Sequence, residues 1–453
     1  MFRKVAVANR GTIAARLVRA LAGLGVSSHV LCSEADRDCP YVEAADGFTV
    51  IGPPPPRESY LDGGKVAEAA LRAGCDAVHP GYGFLAEDAG FARLCGEKGL
   101  VFIGPSPDWL RIMGDKVASR DLMREKGLPL CPSTGILEGD AEAMARECES
   151  LGFPLLIKPA GGGGGIGMMP VLSPDRLLHA LEAAASQAER GFGRRDLYAE
   201  RLLVSPRHVE FQVAADGKDA VHLHERDCSV QRRRQKVVEE AGAPVIPRDR
   251  LAAMAFKVAG ILGECGYDHL GTVETLYSPE TGFGFLEVNP RLQVEHAVTE
   301  EVTGTDLVEL QLRIAAGERV SALLPSPPPL SGHAIECRIY AEDPVRFLPS
   351  PGPLKVFRPP EGEGVRVETG FREGCAVTPF YDPMIAQVIV RAADRPKAMD
   401  LMFEALGDFA VEGVKTNIGF LRALMRHGPF REGKAHTTMA EELVKTKGYE
   451  PLP

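Results

Sequence analysis

Apolar, strand-like runs alternate with helical patterns over the N-terminal part of the chain. Lys4–Ala8 is an apolar run, and the apolar residues from Ile13 to Leu24 recur at helical spacing until Gly25. Further strands are predicted at Ser28–Cys32, Asp76–His79 and Val101–Ile103. Because strands that alternate with helices are typical of a doubly wound parallel sheet, we predict an α/β, Rossmann-like N-terminal domain over residues 1–113.

A glycine-rich loop follows a predicted strand in the middle of the chain. Leu155–Lys158 has the apolar character of the strand, and residues 161–167 are GGGGGIG. The loop lacks the Gly-Lys-Ser/Thr ending of a Walker loop, and the helix of a dinucleotide-binding turn does not follow it. We predict a mobile flap whose backbone N–H groups close over phosphates, with Lys158 placed to reach one of them.

Two later strands are predicted to form a hairpin that pairs two acidic residues. A four-residue loop, Pro279–Gly282, would pair Ser278 with Phe283, and the same register places Glu274 opposite Glu287. Facing carboxylates with Cβ atoms about 5 Å apart repel by roughly 3 kcal/mol at an effective dielectric of about 20. Such a pair is therefore typical of a site for Mg²⁺ or Mn²⁺, which prefer oxygen ligands.

Alternating charged residues on a strand more often indicate a solvent-exposed face than a binding site. Here the residues after the hairpin favour a binding site. Asn289 lies on the same face as Glu287 and offers a third oxygen. Arg291, Gln293 and Glu295 follow within a few residues and supply a guanidinium, an amide and a carboxylate. This combination predicts anion binding and acid–base chemistry beside the metal.

Polar residues elsewhere extend the predicted site. Tyr198–Leu203 is predicted as a strand leading to a hinge, and its carboxylate could accept a hydrogen bond from an adenine amino group. His208, Glu210 and Gln212 alternate on the next strand and share one face. Gln231 and Lys236 are predicted to face inward within a segment of three adjacent arginines.

Composition limits the classes of function. The chain of 453 residues carries a net charge of −10, which disfavours a general role on nucleic acid or an anionic membrane. Its ten cysteines show no zinc-like spacing and are typical of reduced thiols. No signal peptide and no apolar run of about 20 residues is found, so we expect a cytoplasmic protein without a membrane span.

A proline-rich segment marks a predicted boundary near the C-terminal third. Pro325–Leu330 reads PSPPPL, and Ala334–Ile339 after it alternates as a strand. Helical patterns then lie near Lys397–Phe409 and Asn417–Met425. We predict a C-terminal α+β domain.

Seven motifs in order resemble biotin carboxylase, an ATP-grasp enzyme, from end to end. They are ANRG (8–11), HPGYGFLAE (79–87), MGDK (113–116), the flap (161–167), ERDCSVQRRRQKVVEEA (225–241), NPRLQVEH (289–296) and ECRIYAEDP (336–344). The resemblance implies an ATP-grasp domain over residues 114–330 with a lid at 131–203, and a biotin carboxylase C-terminal domain over 331–453.

The resemblance also assigns site residues, position by position. It implies ATP binding by Lys116, Lys158, Gly163, Gly164, Gly165, Glu200, Arg201, Leu202, Leu203, His208, Gln231, Arg234, Glu274, Leu276 and Glu287. It implies a metal held by Glu274, Glu287 and Asn289. Bicarbonate would be bound by Lys236, Arg291, Gln293, Val294 and Glu295. Biotin would be bound by Tyr82 and Arg338. The catalytic set would be Lys236, Arg291, Arg338 and the general base Glu295.

Three positions depart from the family pattern. Ile166 and Met169 stand where the family usually has basic residues in or beside the flap, and Arg234 stands where it often has histidine or asparagine. Our hypothesis is that Arg234 compensates for the missing positive charge near the phosphates.

The implied reaction is carboxylation of biotin through carboxyphosphate, the first half-reaction of an acyl-CoA carboxylase. Since no Met-Lys-Met biotinylation site is present, we expect biotin on a separate biotin carboxyl carrier protein. Further expectations are a homodimer and a carboxyltransferase subunit. Two alternatives remain: another ATP-grasp ligase that joins a carboxylate to an amine through an acyl phosphate, and a non-catalytic relative.

Overall fold

A parallel sheet organises the N-terminal part of the protein. The structure is a computed structural model that describes residues 1–160 and 167–446 of the chain. Its strands are β1 (Lys4–Val7), β2 (Ser27–Ser33), β3 (Gly47–Gly52), β4 (Ala77–His79) and β5 (Val101–Phe102), in the order β3-β2-β1-β4-β5. The helices are α1 (Gly11–Gly23), α2 (Pro40–Glu43), α3 (Gly63–Arg72), α4 (Ala89–Glu97) and α5 (Pro107–Gly114). The predicted doubly wound sheet is confirmed, although the sequence analysis did not predict the edge strand β3.

A smaller antiparallel sheet forms the region predicted as a lid. The helix α6 (Lys116–Glu125) precedes this region, whose elements are α7 (Ala141–Ser150), β6 (Leu155–Pro159), β7 (Met169–Val171), α8 (Leu177–Phe192) and β8 (Leu197–Arg201), with strand order β7-β6-β8. Leu155, Ile157 and Val171 of this sheet pack against Leu181 and Ala184 of α8. Residues 161–166 of the glycine flap, which include Gly163, Gly164, Gly165 and Ile166, lie outside the described residues.

An eight-stranded sheet joins the middle of the chain to its C-terminal part. Its first members are β9 (Arg207–Ala215), β10 (Ala220–Arg232), β11 (Gln235–Ala241), β12 (Leu270–Ser278), β13 (Gly282–Asn289) and β14 (His333–Tyr340). The accompanying helices are α9 (Arg248–Glu264), α10 (His296–Thr303), α11 (Leu307–Ala315) and α12 (Val320–Leu323).

The C-terminal elements complete this sheet and cover it with helices. They are β15 (Gly352–Pro353), β16 (Val356–Arg358), β17 (Val365–Glu368), β18 (Ala376–Val377), β19 (Met384–Ala392), α13 (Arg395–Asp408), β20 (Ala410–Glu412), α14 (Ile418–Arg426), α15 (Gly428–Arg431) and α16 (Met439–Lys445). The sheet order is β13-β12-β9-β10-β11-β14-β19-β17. Because β11 pairs with β14, the sheet is continuous across residue 330.

The hairpin of β12 and β13 differs from its predicted register in one respect. Ser278 pairs with Gly282 instead of Phe283, so the connecting loop is one residue shorter than expected. Leu286 is left unpaired as a bulge, and beyond it Glu274 pairs with Glu287, as predicted. A bulge adds one residue to one strand and therefore restores the register that the shorter loop had displaced.

No helix in the two described ranges is both long and apolar enough to cross a bilayer.

Candidate functional site

Three acidic residues form a row across neighbouring strands of the large sheet. Glu210 on β9 pairs with Glu274 on β12, and Glu274 pairs with Glu287 on β13. Since directly paired residues of antiparallel strands point to the same face, the three carboxylates lie on one side of the sheet. Such a row is stable only when cations compensate its charge.

Lys236 on β11 supplies much of this compensation. Its ammonium group donates to Glu210 Oε2 (2.6 Å), Glu274 Oε1 (2.7 Å) and Glu295 Oε1 (2.6 Å). Burial opposes the charge of Lys236, but these three carboxylates raise its pKa well above the ordinary value. Lys236 therefore remains a cation inside the site.

The end of the row at Glu274 and Glu287 has the oxygen ligands for a divalent cation. Lys116 lies 3.3 Å from Glu287 Oε2, and Asn289 Nδ2 donates to Glu274 Oε1 over 2.9 Å. One ligand atom each from His208, Glu210 and Glu274 lies within 4.8 Å of the others. Paired carboxylates beside a side-chain amide oxygen fit Mg²⁺ or Mn²⁺, which prefer oxygen ligands. The predicted metal ligands Glu274, Glu287 and Asn289 thus lie together.

The predicted bicarbonate residues surround the inner end of the row. Arg291 donates its Nε to Glu87 Oε1 (2.5 Å) and its Nη2 to Asn289 Oδ1 (3.2 Å). Gln293 donates to Glu274 Oε1 over 3.0 Å. The carbonyl of Val294 accepts from Gln387 Nε2 over 2.8 Å. Of these residues, Gln293 lies nearest to Lys236, whose ammonium group is 3.4 Å from Gln293 Oε1.

Glu295 lies between two cations. Its Oε1 accepts from Lys236, and its Oε2 accepts from Arg338 Nη2 over 3.0 Å. Burial would raise the pKa of Glu295, but Lys236, Arg338 and Arg226 hold it far below the ordinary value. Glu295 is therefore an ionised carboxylate, which a base must be.

Arg226 and Glu210 are buried supports of the site. The sequence analysis placed Glu210 on the face of His208 without giving it a role, and it did not single out Arg226. Arg226 is fully buried and donates to Glu210 Oε1 over 2.6 Å and to Gln212 Oε1 over 2.8 Å. The alternation of His208, Glu210 and Gln212 was the signal for Glu210. Arg226 gave no comparable signal because its partners lie on strands distant in sequence.

The residues predicted to bind the nucleotide fall into two groups, one beside the flap and one on the large sheet. Lys158 and Arg120 both bind the carboxylate of Glu200, so Glu200 is a countercharge for two cations beside the flap. Gln231 Nε2 lies 2.9 Å from His208 Nδ1. Arg120 was not predicted, since a single buried arginine on an amphipathic helix resembles a surface charge in sequence.

The remaining residues predicted to bind the nucleotide are those of the hinge, Leu276 and Arg234. The Arg201 side chain donates to the carbonyl of Leu151 over 2.8 Å, away from the acidic row. Leu202, Leu203 and Leu276 are half-buried. Arg234 is exposed and its Nη1 lies 2.8 Å from Met168 Sδ, directly after the flap.

A cavity of about 410 Å³ opens beside Glu295 and is lined by both predicted biotin residues, Tyr82 and Arg338. The Tyr82 hydroxyl lies 3.1 Å from Thr12 Oγ1. Asn9 donates to the carbonyls of Pro80 (2.6 Å) and Tyr82 (2.8 Å) and so holds the Tyr82 loop in place. The Asn-Arg-Gly turn after β1 therefore has a structural role at the cavity wall.

Three family descriptions match the chain in succession. "Biotin carboxylase, N-terminal domain" matches residues 1–110, "Carbamoyl-phosphate synthase L chain, ATP binding domain" matches residues 115–323, and "Biotin carboxylase C-terminal domain" matches residues 336–442.

Relatives and solved structures agree with these matches. The chain is 46% identical over 451 residues to a biotin carboxylase of Halalkalibacterium halodurans, covering 99% of both. It is 44% identical over 446 residues to a biotin carboxylase of Bacillus subtilis, covering 98% of this chain and 100% of that protein.

A solved structure of the biotin carboxylase domain dimer of Hydrogenobacter thermophilus 2-oxoglutarate carboxylase, in complex with MgADP, ADP and bicarbonate, has a TM-score of 0.92 at 41% identity, covering 98% of each chain. A biotin carboxylase of Campylobacter jejuni has a TM-score of 0.93 at 38% identity, covering 98% of this chain and 99% of that one. Together with the geometry of the acidic row and the adjoining cavity, these similarities show that the chain belongs to the biotin carboxylase family.

Proposed function

We propose that this protein uses ATP and bicarbonate to carboxylate biotin, with Glu295 as the general base and Arg338 at the acceptor. The observation that carries the proposal is the position of Glu295. Its two carboxylate oxygens bind Lys236 and Arg338, and Arg338 lines the cavity that also contains Tyr82. One carboxylate thus connects the predicted anion site with the predicted biotin site.

The contacts of Glu295 explain how it becomes a base. A carboxylate whose pKa is depressed by two cations is a weak proton acceptor. When bicarbonate binds, Lys236 and Arg291 can donate to its oxygens, which weakens their hold on the protein carboxylates. Glu295 then accepts the bicarbonate proton, while the same cations stabilise the dianion that attacks the γ-phosphoryl group of ATP.

The other residues position the nucleotide. Lys116 lies beside Glu287 of the acidic row, and Lys158 lies just before the flap, where Glu200 holds it in place. Both lysines would neutralise phosphate charge. Glu274, Glu287 and Asn289 would hold Mg²⁺ or Mn²⁺, which when bound supplies charge neutralisation at the transferring phosphoryl group. The roles of Gln231, His208 and the Glu200–Leu203 hinge in binding the adenosine part belong to the same proposal.

The product carboxyphosphate would form next to the biotin cavity. Its decomposition to CO₂ and phosphate beside Arg338 and Tyr82 would let the phosphate remove a proton from the ureido ring. The ring anion, which Arg338 stabilises, would then attack the CO₂ to form the N–C bond of the carboxylated product. The glycine flap would keep water from hydrolysing the mixed anhydride.

We also propose the partners, the oligomeric state and the compartment of this reaction. Biotin would arrive on a separate carrier protein, a carboxyltransferase subunit would use the carboxylated product in an acyl-CoA carboxylase, and the chain would act as a cytoplasmic homodimer. All ten cysteines are free and eight of them are buried, which agrees with a reducing compartment. The predicted domain limits, at 113 and 330, are kept as part of this proposal.

The experiment is an ATPase assay with purified protein. We expect hydrolysis that depends on bicarbonate and is stimulated by free biotin, with ¹⁴C-bicarbonate incorporated into biotin. Stimulation by an amine without any effect of biotin would support the acyl-phosphate ligase instead. Absence of nucleotide turnover under all of these conditions would support a non-catalytic relative.

A further inference from the structure

Glu239 and Glu336 are two buried carboxyl groups that take no part in the proposed reaction. Glu239 on β11 and Glu336 on β14 are directly paired, and each has 0% of its surface exposed. Arg338 lies two residues after Glu336 on the same strand, so its side chain is on the same face. The pair is therefore adjacent to the arginine of the biotin cavity.

The hydrogen bonds of the pair are incomplete. Arg338 Nη2 lies 2.6 Å from Glu239 Oε1, and Gln387 Nε2 donates to Glu336 Oε1 over 2.5 Å. Both oxygens of Glu239 and the Oε2 atom of Glu336 have no hydrogen-bond partner among the described residues, so the contact of Arg338 with Glu239 is an ion pair. Buried polar atoms are nearly always hydrogen-bonded, and two facing acceptors can satisfy each other only through a hydrogen atom.

The surrounding charges do not compensate two carboxylates. The titratable groups that interact with the pair include Cys228, Lys236, Glu295, Cys337, Arg338, Tyr340 and, across the cavity, Tyr82. Lys236 is already bound by Glu210, Glu274 and Glu295, which leaves Arg338 as the cation for the pair.

The direction of the pKa shifts agrees with this count of charges. Burial and the neighbouring Glu239 raise the pKa of Glu336 well above the ordinary value. Burial also raises the pKa of Glu239, which Arg338 opposes. Both directions favour one proton on the pair, and because Arg338 lies against Glu239, the charged member is assigned to Glu239 and the proton to Glu336.

We propose that Glu239 and Glu336 share one proton, carried by Glu336 and donated to Glu239, and that the pair is a positioning element for Arg338. The charged Glu239 anchors the guanidinium, and the neutral Glu336 fixes the orientation of Glu239. This role rests on the proposed function of Arg338 at biotin. A second negative charge here would draw Arg338 away from the cavity and repel the anion of the ureido ring.

The shared proton is tested directly by infrared spectroscopy on the ligand-free protein at neutral pH. We expect the C=O stretch of a protonated carboxyl group in the wild type, and a loss of that intensity in Glu336→Gln. Glu240→Gln is the matched control, because Glu240 is the next residue on β11 and is ionised by His333 and Arg395. It should leave the band unchanged. A band of equal intensity in wild type and Glu336→Gln would overturn the shared proton.

The positioning role is tested by kinetics with free biotin. Glu336→Gln is the isostere of the neutral acid, so its kcat/KM for biotin should stay within about twofold of the wild type. Glu239→Gln removes the charge that pairs with Arg338, and its KM for biotin should rise at least about tenfold because a buried ion pair is broken. The melting temperature and the affinity for MgATP are measured in parallel for both variants, which separates this effect from general damage to the fold.

The pH profile distinguishes the two glutamates further. A carboxyl group with a raised pKa is neutral below that pKa and charged above it. The wild-type kcat/KM for biotin should therefore fall as pH rises through the pKa of the pair, and Glu336→Gln should lack this fall. A wild-type KM for biotin in Glu239→Gln, or a defect in Glu336→Gln as large as that of Glu239→Gln, would overturn the positioning role. The infrared result needs no turnover, so failure of the proposed function would not be confused with failure of the pair.

Discussion

The Lys236 ammonium group donates to Glu295 Oε1 over 2.6 Å, and in the same place it binds Glu210 and Glu274. One buried cation thus connects the predicted base, the predicted metal ligand and a structural carboxylate. A ligand that takes a hydrogen bond from Lys236 would change the electrostatic environment of all three, so we expect ligand binding and proton transfer to be coupled in this site.

Replacing Glu295 by glutamine should remove the general base while it keeps the size of the side chain. Since a positioned base typically contributes about 10²- to 10⁴-fold, biotin-dependent turnover should fall by that factor. The measurement is ¹⁴C incorporation into free biotin, with the exposed Glu404→Gln as control. Undiminished turnover in Glu295→Gln would mean that another group accepts the proton.

Replacing Glu287 by glutamine should weaken metal binding. The amide keeps one oxygen but loses the charge that Lys116 now compensates at 3.3 Å. We expect the Mg²⁺ concentration for half-maximal activity to rise at least about tenfold. Glu280→Gln, at the exposed turn of the same hairpin, is the control and should behave as the wild type. Equal Mg²⁺ dependence of the two variants would contradict the metal assignment of Glu287.

Replacing Arg234 by histidine tests whether this arginine compensates for the missing basic residues of the flap. Its Nη1 lies 2.8 Å from Met168 Sδ, just after the glycines, where a positive charge can act on bound phosphates. Because the position is exposed, we expect only about a two- to fivefold rise in KM for ATP.

The adjacent Arg233→His, also exposed, is the matched control for this change. The rise for Arg234→His should exceed that in a family member with a basic flap. No change in KM for ATP would dispose of the compensation hypothesis.

His79 should make the protein less stable in mild acid. Burial, followed by the nearby His269, lowers the pKa of His79 from 6.5 to about 3. The unfolded chain therefore binds a proton that the folded chain excludes, and stability is lost as pH falls from 6.5 towards 3, by about 1.4 kcal/mol per pH unit.

Thermal unfolding across this pH range measures the effect. His79→Asn keeps an acceptor for the Gly81 N–H, which now donates to His79 Nδ1 over 3.0 Å, and its melting temperature should fall less steeply in acid than that of the wild type. The exposed His179→Asn should follow the wild type. Parallel curves for wild type and His79→Asn would contradict the assignment.

Local patterns were sufficient to predict many elements of this protein. Apolar runs and helical spacing located β1, α1, β2, β4 and β6, because these elements bury one side or both and so leave a periodic signal. The acidic hairpin pair was also predicted correctly, although through a loop one residue too long and without the bulge at Leu286. Strand β3 was missed since Phe48 and Val50 are exposed at the edge of the sheet.

The sequence by itself determined which residues share a face of a strand, and with the motif order it determined the family. Only the tertiary structure decided which faces meet: that Lys236 lies among Glu210, Glu274 and Glu295, and that Glu239 lies against Glu336. Side-chain alternation depends on the geometry of one strand. These contacts instead depend on the order in which distant strands pair, which long-range packing selects and no local pattern records.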